Sequence, residues 1–219
     1  MLKLYDYSGA PNPKRVKIFA AEKGIDLELI HCDLLKGEQK SPAFLEKNSS
    51  GKIPVLELPN GRCIPEAISI CRYLESIQPE PNLFGIDIYE RAFVDARERQ
   101  IELEFWREVG TSWVNGPIIA KMGIVKPNLE AKYASDQKVK AYFDRLDSEF
   151  SNAAYVAGDR FTVADITLWV AVEFGASFVG LTPSPELKNL ARWNSDVSVR
   201  ESVLVNAGSD MLKGAFNSH

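Results

Sequence analysis

The segment Pro79-Glu80-Pro81-Asn82 cannot continue a helix, and the hydrophobic period differs on its two sides. Before it, strand-like alternation and helix-like spacing take turns. Leu2 to Tyr5 alternates as a strand, and Asn12-Pro13 reads as a helix cap followed by proline at the first helical position, with Val16, Phe19 and Ala20 on one face and Gly24 as the stop. Asp26 to Cys32 alternates again, and Ser41-Pro42 repeats the cap-plus-proline start before a short helix carrying Phe44 and Leu45. Ile53–Leu58 and Arg62–Ile64 flank Pro59-Asn60-Gly61, a strong hairpin signal. A helix opens near Glu66, with Ala67, Ile70, Cys71 and Leu74 at i, i+3, i+4 and i+7. The order is βαβ, α, ββα.

From Asp87 onward only helical faces are found: a long one from about Ile88 to Thr111, and one with Val139, Tyr142, Phe143, Leu146 and Phe150. At Phe161-Thr162-Val163-Ala164-Asp165-Ile166, Thr162 and Asp165 can cap each other's backbone donors while Phe161 staples onto Ile166, a device for stability. Residues 115–128, broken by Gly116, Pro117, Gly123 and Pro127, carry no readable period. The chain of 219 residues thus divides into a domain at 1–78, a Pro-rich linker at 79–87, an all-helical domain at 88–210 and a tail at 211–219.

A net charge of −4 supplies no basic field, which argues against nucleic acid or an anionic membrane as partner. No run of eighteen apolar residues and no basic-then-apolar leader is found, so the expected location is cytoplasmic. Three cysteines, Cys32, Cys63 and Cys71, lack CxxC spacing and read as core filler rather than a redox pair. With only His31 and His219, a zinc site or Ser-His-Asp triad has little raw material, and no metal is expected.

Four segments carry a resemblance that covers nearly the whole chain: Ala10-Pro11-Asn12-Pro13-Lys14-Arg15-Val16, Gly51-Lys52-Ile53-Pro54-Val55-Leu56, Pro65-Glu66-Ala67-Ile68 and Gly158-Asp159-Arg160-Phe161-Thr162-Val163-Ala164-Asp165. In this order they resemble the glutathione transferases. The resemblance implies a thioredoxin-like α/β domain followed by an all-α domain, a homodimer, and glutathione as co-substrate. The reaction it implies is transfer of glutathione to a small electrophile in a cleft closed by the helical domain. Reduction of a disulfide or peroxide, or a non-catalytic ligand-binding role, are the alternatives.

Glutathione carries two carboxylates, one amine and one thiol. A helix start at Glu66-Ala67 offers N–H groups to a carboxylate and an acidic side chain to an ammonium. By the resemblance, Pro54 is cis, Ile53 pairs its backbone with the cysteinyl part, and Gln39 and Lys52 hold the glycine end, with Lys40 as an alternative. Two positions depart from the family pattern. Where many transferases place Ser or Cys against the thiol, this chain has Ala10 or Pro11. Asn12 is the remaining candidate, placed as in a Nu-class-like branch of disulfide-bond reductases, with Tyr7 and Ser8 as alternatives and Lys14 and Arg15 adding positive charge. The second departure is Ala67, which lacks the usual serine hydroxyl and weakens the hold on the γ-glutamyl carboxylate. Trp106, Trp113, Met122 and Phe105 are candidates to line an apolar acceptor site.

Overall fold

The computed structural model describes residues 1–208. The predicted tail at 211–219, with His219, lies outside the described residues. The chain forms two compact units: Met1–Asn82 together with the segment from Glu201, and Leu83–Arg200.

The first unit contains β1 (Lys3–Asp6), α1 (Pro11–Glu22), β2 (Glu28–His31), a single 3-10 turn (Glu38–Lys40), α2 (Pro42–Leu45), β3 (Val55–Glu57), β4 (Cys63–Pro65) and α3 (Ala67–Ile77). Its four strands lie in the order β2-β1-β3-β4, with β1 parallel to β2 and antiparallel to β3, and β3 antiparallel to β4. This is the thioredoxin-like arrangement that the βαβ-α-ββα pattern and the resemblance imply. β2 is shorter than the alternation from Asp26 to Cys32 because its only neighbour, β1, offers four residues, and Glu28 and Cys32 close the ladder on the carbonyls of Leu2 and Asp6.

The cap of α1 corrects the sequence reading. The helix begins at Pro11, its N-cap is Ala10 with no side-chain cap bond, and the Ala10 carbonyl accepts from Lys14 N–H at 3.2 Å. Pro11 lacks an N–H and so fits the first helical position, which places Asn12 inside the first turn rather than at the cap. Lys14 and Arg15 are buried, with Lys14 Nζ donating to the Gly208 carbonyl at 2.8 Å. The Lys14 charge is therefore held inside the fold by its own partner. The segment from Glu201, a one-turn helix over Glu201–Leu204, returns to this unit, where Ser202 Oγ donates to Glu22. Ser41 caps α2 as read, its Oγ accepting from Phe44 N–H at 3.3 Å.

In the second unit α4 (Ile88–Gln100), a π-helical turn (Ile101–Trp106) and α5 (Arg107–Val114) form one continuous helical rod. α6 (Pro117–Lys121) occupies the stretch that carried no readable period. α7 (Leu129–Glu149) follows, then α8 (Val163–Phe174) with a π-helical turn over Gly175–Val179, and α9 (Lys188–Ser198). α7 buries Val139, Tyr142, Phe143 and Leu146, the predicted face. Phe105 is fully buried, 5.1 Å from Tyr142 and 5.4 Å from Phe143 between ring centroids.

The Thr162/Asp165 box is present at the start of α8 and does more than cap. Asp165 accepts from the N–H groups of Val156 and Thr162 at 2.9 Å each, from the Thr162 hydroxyl at 3.1 Å and from Trp193 Nε1 at 2.9 Å. It thereby ties α8 to α9 and to the preceding loop. Among the described residues no helix is long and apolar enough to cross a membrane.

Candidate functional site at one end of the sheet

The pairing pattern collects several loops at one end of the sheet. β1 and β2 run parallel and β3 runs against β1, so β1 and β2 finish where β3 begins; β4, antiparallel to β3, finishes there too and leads into α3. Val55 stands opposite both Tyr5 and Pro65, so Ile53 and Pro54 meet this end beside the Tyr7–Ala10 turn and the Pro65–Glu66 step. The Tyr7–Ala10 turn is closed by Ala10 N–H on the Tyr7 carbonyl at 2.8 Å, with Gly9 at φ 77°, and it feeds the N-terminus of α1 into the same place.

Glu66 has φ 69°, the left-handed conformation that a residue with a Cβ adopts at a cost of order 1–3 kcal/mol. Its side chain is exposed and makes no cap bond to α3, which leaves the first N–H groups of that helix, from Ala67 on, without an intrahelical partner. An exposed carboxylate beside uncapped N–H groups can hold the ammonium and carboxylate of one amino-acid end. The Ile53–Pro54 peptide is cis, and Ile53 precedes the paired register, so its N–H and C=O stand outside the ladder.

Gln39 and Lys40 lie on the 3-10 turn, which packs against Gly51. A Cβ at Gly51 would stand 2.7 Å from Lys40 Nζ and 2.9 Å from the Gln39 carbonyl, and its φ is 58°, so only glycine permits this approach. The approach sets Gln39 and Lys40 beside Lys52. Buried Asn48 holds this loop: its Nδ2 donates to the Lys52 carbonyl at 2.7 Å and its Oδ1 accepts from Ser50 N–H at 3.1 Å. Gln39 Oε1 is buried with no hydrogen-bond partner among the described residues, an acceptor suited to an N–H donor from a bound molecule. Lys40 Nζ donates to the Ser50 carbonyl at 3.3 Å, while the Lys52 residue is exposed.

At the α1 end, Arg15 Nη1 donates to Asn12 Oδ1 at 3.4 Å, which turns the amide so that its Nδ2 donor faces away from Arg15. Tyr7 is buried, and burial, with Asp33's negative charge added, pushes its hydroxyl above the usual tyrosine range, so it stays a donor at neutral pH. Ser8 is exposed, and Ala10 is buried. Cys32 lies just past β2, packed with Phe44 and Val55 and against Ile53, and burial raises its thiol. It is protonated filler beneath the site.

In the helical unit Trp106 and Trp113 both meet Phe174 edge-on, at 5.6 and 5.3 Å, and are half-buried. Met122 is half-buried at the end of α6. Phe105 does not join them; its place in the core removes it from the acceptor candidates. Glu66's left-handed backbone, Asn48 and the Gly51 approach were not read from the sequence, although Asn48-Ser49-Ser50-Gly51 has the composition of a side-chain-stapled turn.

Residues 1–76 match the family model of the glutathione S-transferase N-terminal domain, and residues 117–201 match that of the C-terminal domain. The chain belongs to the glutathione S-transferase family. A curated glutathione S-transferase 2 from Saccharomyces cerevisiae is 32% identical over 203 residues, covering 91% of this chain and 87% of the relative. The crystal structure of Gtt2 from the same yeast aligns with TM-score 0.84 and 31% identity, covering 94% of this chain and 100% of that one. A glutathione S-transferase domain-containing protein from Marinobacter aquaeolei VT8 aligns with TM-score 0.84 and 30% identity over 92% of this chain and 99% of that one.

Proposed function

We propose that this member of the family binds glutathione at the end of the sheet and transfers the glutathionyl group, through its sulfur, to an electrophilic small molecule. The observation that carries the reading is left-handed Glu66 at the uncapped start of α3, a strained backbone that presents an acid beside free N–H donors. Glu66 takes the γ-glutamyl ammonium, and Ala67 and the next N–H groups take its carboxylate. Ile53 supplies N–H and C=O to the cysteinyl unit, and cis Pro54 exposes them. Gln39 and Lys52 hold the glycyl end, with Lys40 as alternative; the orphaned acceptor of Gln39 fits a peptide N–H.

Asn12 Nδ2 and the positive end of α1 favour the thiolate, with Tyr7 and Ser8 as alternatives. The thiolate sulfur attacks an electrophilic carbon, the C–S bond forms as the leaving group departs with its bonding pair, and the thiol proton passes to solvent. Trp106 and Trp113 line the acceptor's apolar surface. No metal is invoked. The chain acts as a homodimer in the cytoplasm, a setting that suits its free cysteines Cys32, Cys63 and Cys71.

A specific observation favours a second reading. Ala10 and Pro11 place no hydroxyl or thiol beside the sulfur, so the fold could bind glutathione without conjugating it, or use it to reduce a disulfide or peroxide. Calorimetric titration with glutathione, followed by turnover assays on an aryl halide, a small disulfide and an organic peroxide, separates them. The proposal expects saturable binding and aryl-halide conjugation. Binding without turnover favours a ligand-binding role, and no binding overturns both readings.

A further inference from the structure

Ile53 can serve the site only if the peptide carrying its N–H faces the right way, and one buried side chain fixes that peptide. The Lys52–Ile53 peptide is trans, so its C=O and N–H lie in one plane and point in opposite directions. Asn48 Nδ2 donates to the Lys52 carbonyl at 2.7 Å. Holding that oxygen turns the Ile53 N–H away from Asn48, and this N–H makes no hydrogen bond among the described residues. A backbone donor held in place and left open is fitted to a bound carbonyl.

The sense of the Asn48 amide is set by its partners. Oδ1 accepts from Ser50 N–H at 3.1 Å and from Ser50 Oγ at 2.9 Å, and a backbone N–H can only donate, so the nitrogen is the atom that faces Lys52. The residue is also anchored through its main chain. Asn48 N–H donates to the Phe44 carbonyl at 3.0 Å, and its own carbonyl accepts from Gly51 N–H at 2.9 Å, closing the turn. Phe44 lies in one buried cluster with Val55, the first residue of β3, and Ile53 packs against the same cluster. Both ends of the loop are thus tied to one apolar core, and the buried Asn48 amide is the polar strut between them. No aspartate could replace it at neutral pH, because a carboxylate has the length but no donor for the Lys52 carbonyl.

We infer that Asn48 is a positioning residue for the thiol substrate: through the Lys52 carbonyl it aims the Ile53 N–H at the cysteinyl unit, and it sets the affinity for any γ-glutamylcysteinyl thiol whether or not a glycine follows. The inference rests on the proposed binding of glutathione at the end of the sheet. The Lys52 side chain is exposed and takes no part in the bond from Asn48, so the hold on the cysteinyl unit and the hold on the glycyl end are separable.

The test is calorimetric titration of the full chain, as parent, Asn48→Ala and Asn48→Asp, with glutathione and with γ-glutamylcysteine, which keeps the cysteinyl unit and lacks the glycine. Asn48→Ala removes the donor without adding charge. Asn48→Asp keeps the acceptor for Ser50 and the side-chain shape, and it decides the matter if the Ala variant loses its circular dichroism. Each folded variant should bind both thiols roughly three- to tenfold more weakly than the parent, the scale of one hydrogen bond. At saturating glutathione, kcat on the acceptor that the parent turns over should hold within about twofold, because the Ile53 contact is the same in ground and transition states; a merely structural role would lower kcat with the folded fraction. Undiminished affinity in a folded variant, weakening confined to glutathione with γ-glutamylcysteine unchanged, or a fall in kcat with affinity intact each overturns the assignment. A parent that fails to bind glutathione overturns the proposed function itself, and this inference with it.

Discussion

Asn12 stands in the first turn of α1 with its Oδ1 taken by Arg15, so its side chain holds no helix cap. This separates two effects that a cap would have merged. Asn12→Ala removes one anion-stabilising N–H donor and should lower conjugation turnover by ~10²-fold or somewhat less, while the thermal midpoint changes little. Asn12→Asp puts a carboxylate in a first turn that lacks any acid, which suits the helix dipole but opposes a thiolate. Stability should hold or rise as kcat/KM falls; parallel calorimetry and kinetics check it, and a fully active Asp variant would move the role to Tyr7 or Ser8. At Ala67, buried at the first position of α3, the missing hydroxyl is one donor toward a carboxylate. Ala67→Ser should tighten glutathione roughly tenfold, the scale of a hydrogen bond to a charged group, as read by titration calorimetry of both forms.

At the scale of elements, the start of α8 depends on a buried acid. Burial pushes the Asp165 carboxyl up to about 6 from the ordinary aspartate value of 3.8, although four donors pull the other way. The folded state therefore holds this proton more tightly than the unfolded chain. Between those two values the unfolded state binds fewer protons, and stability falls as pH rises through the window. Asp165 alone should make the protein roughly 1 kcal/mol more stable at pH 5 than at pH 7. Urea unfolding at the two pH values in parent and Asp165→Asn measures it; an equal pH difference in both would assign the effect elsewhere. Thr162 and Asp165 were legible as a capping box because capping is local, three residues apart. The bond from Trp193 was not, since it spans 28 residues and depends on how α9 packs.

For the whole molecule, the exposed start of α4 bears on assembly. Ile88 and Tyr89 are 88% and 74% exposed, and Tyr89 stacks on Phe93 at 5.9 Å, giving an apolar patch that water disfavours. The proposed homodimer is expected to use it. Sedimentation at micromolar concentration should give twice the chain mass of 24.4 kDa, and Tyr89→Asp should shift the species toward monomer. A monomeric parent would defeat the proposal, and a dimer indifferent to the substitution would place the interface elsewhere.

Local chemistry settled much of this protein from its sequence. The Asn60-Gly61 turn, the Ser41-Pro42 cap, the apolar spacing of α7 and the change of period after Pro79 depend on neighbours within a few residues, and each stands in the structure as read. The family segments likewise pointed to the thioredoxin-like sheet before any packing was known. Where local rules offered two answers, tertiary structure chose. Asn12-Pro13 reads as cap and first-turn proline, but the helix took an earlier start at Pro11, with Lys14 and Arg15 buried along it. Phe105 and Trp106 are adjacent in sequence, yet one is core and the other half-buried, because a helix turns neighbours to different faces. Glu66's left-handed backbone, the Gly51 approach to Gln39 and the bond from Trp193 to Asp165 arise only when distant segments are fixed in space. No periodicity within a segment encodes them.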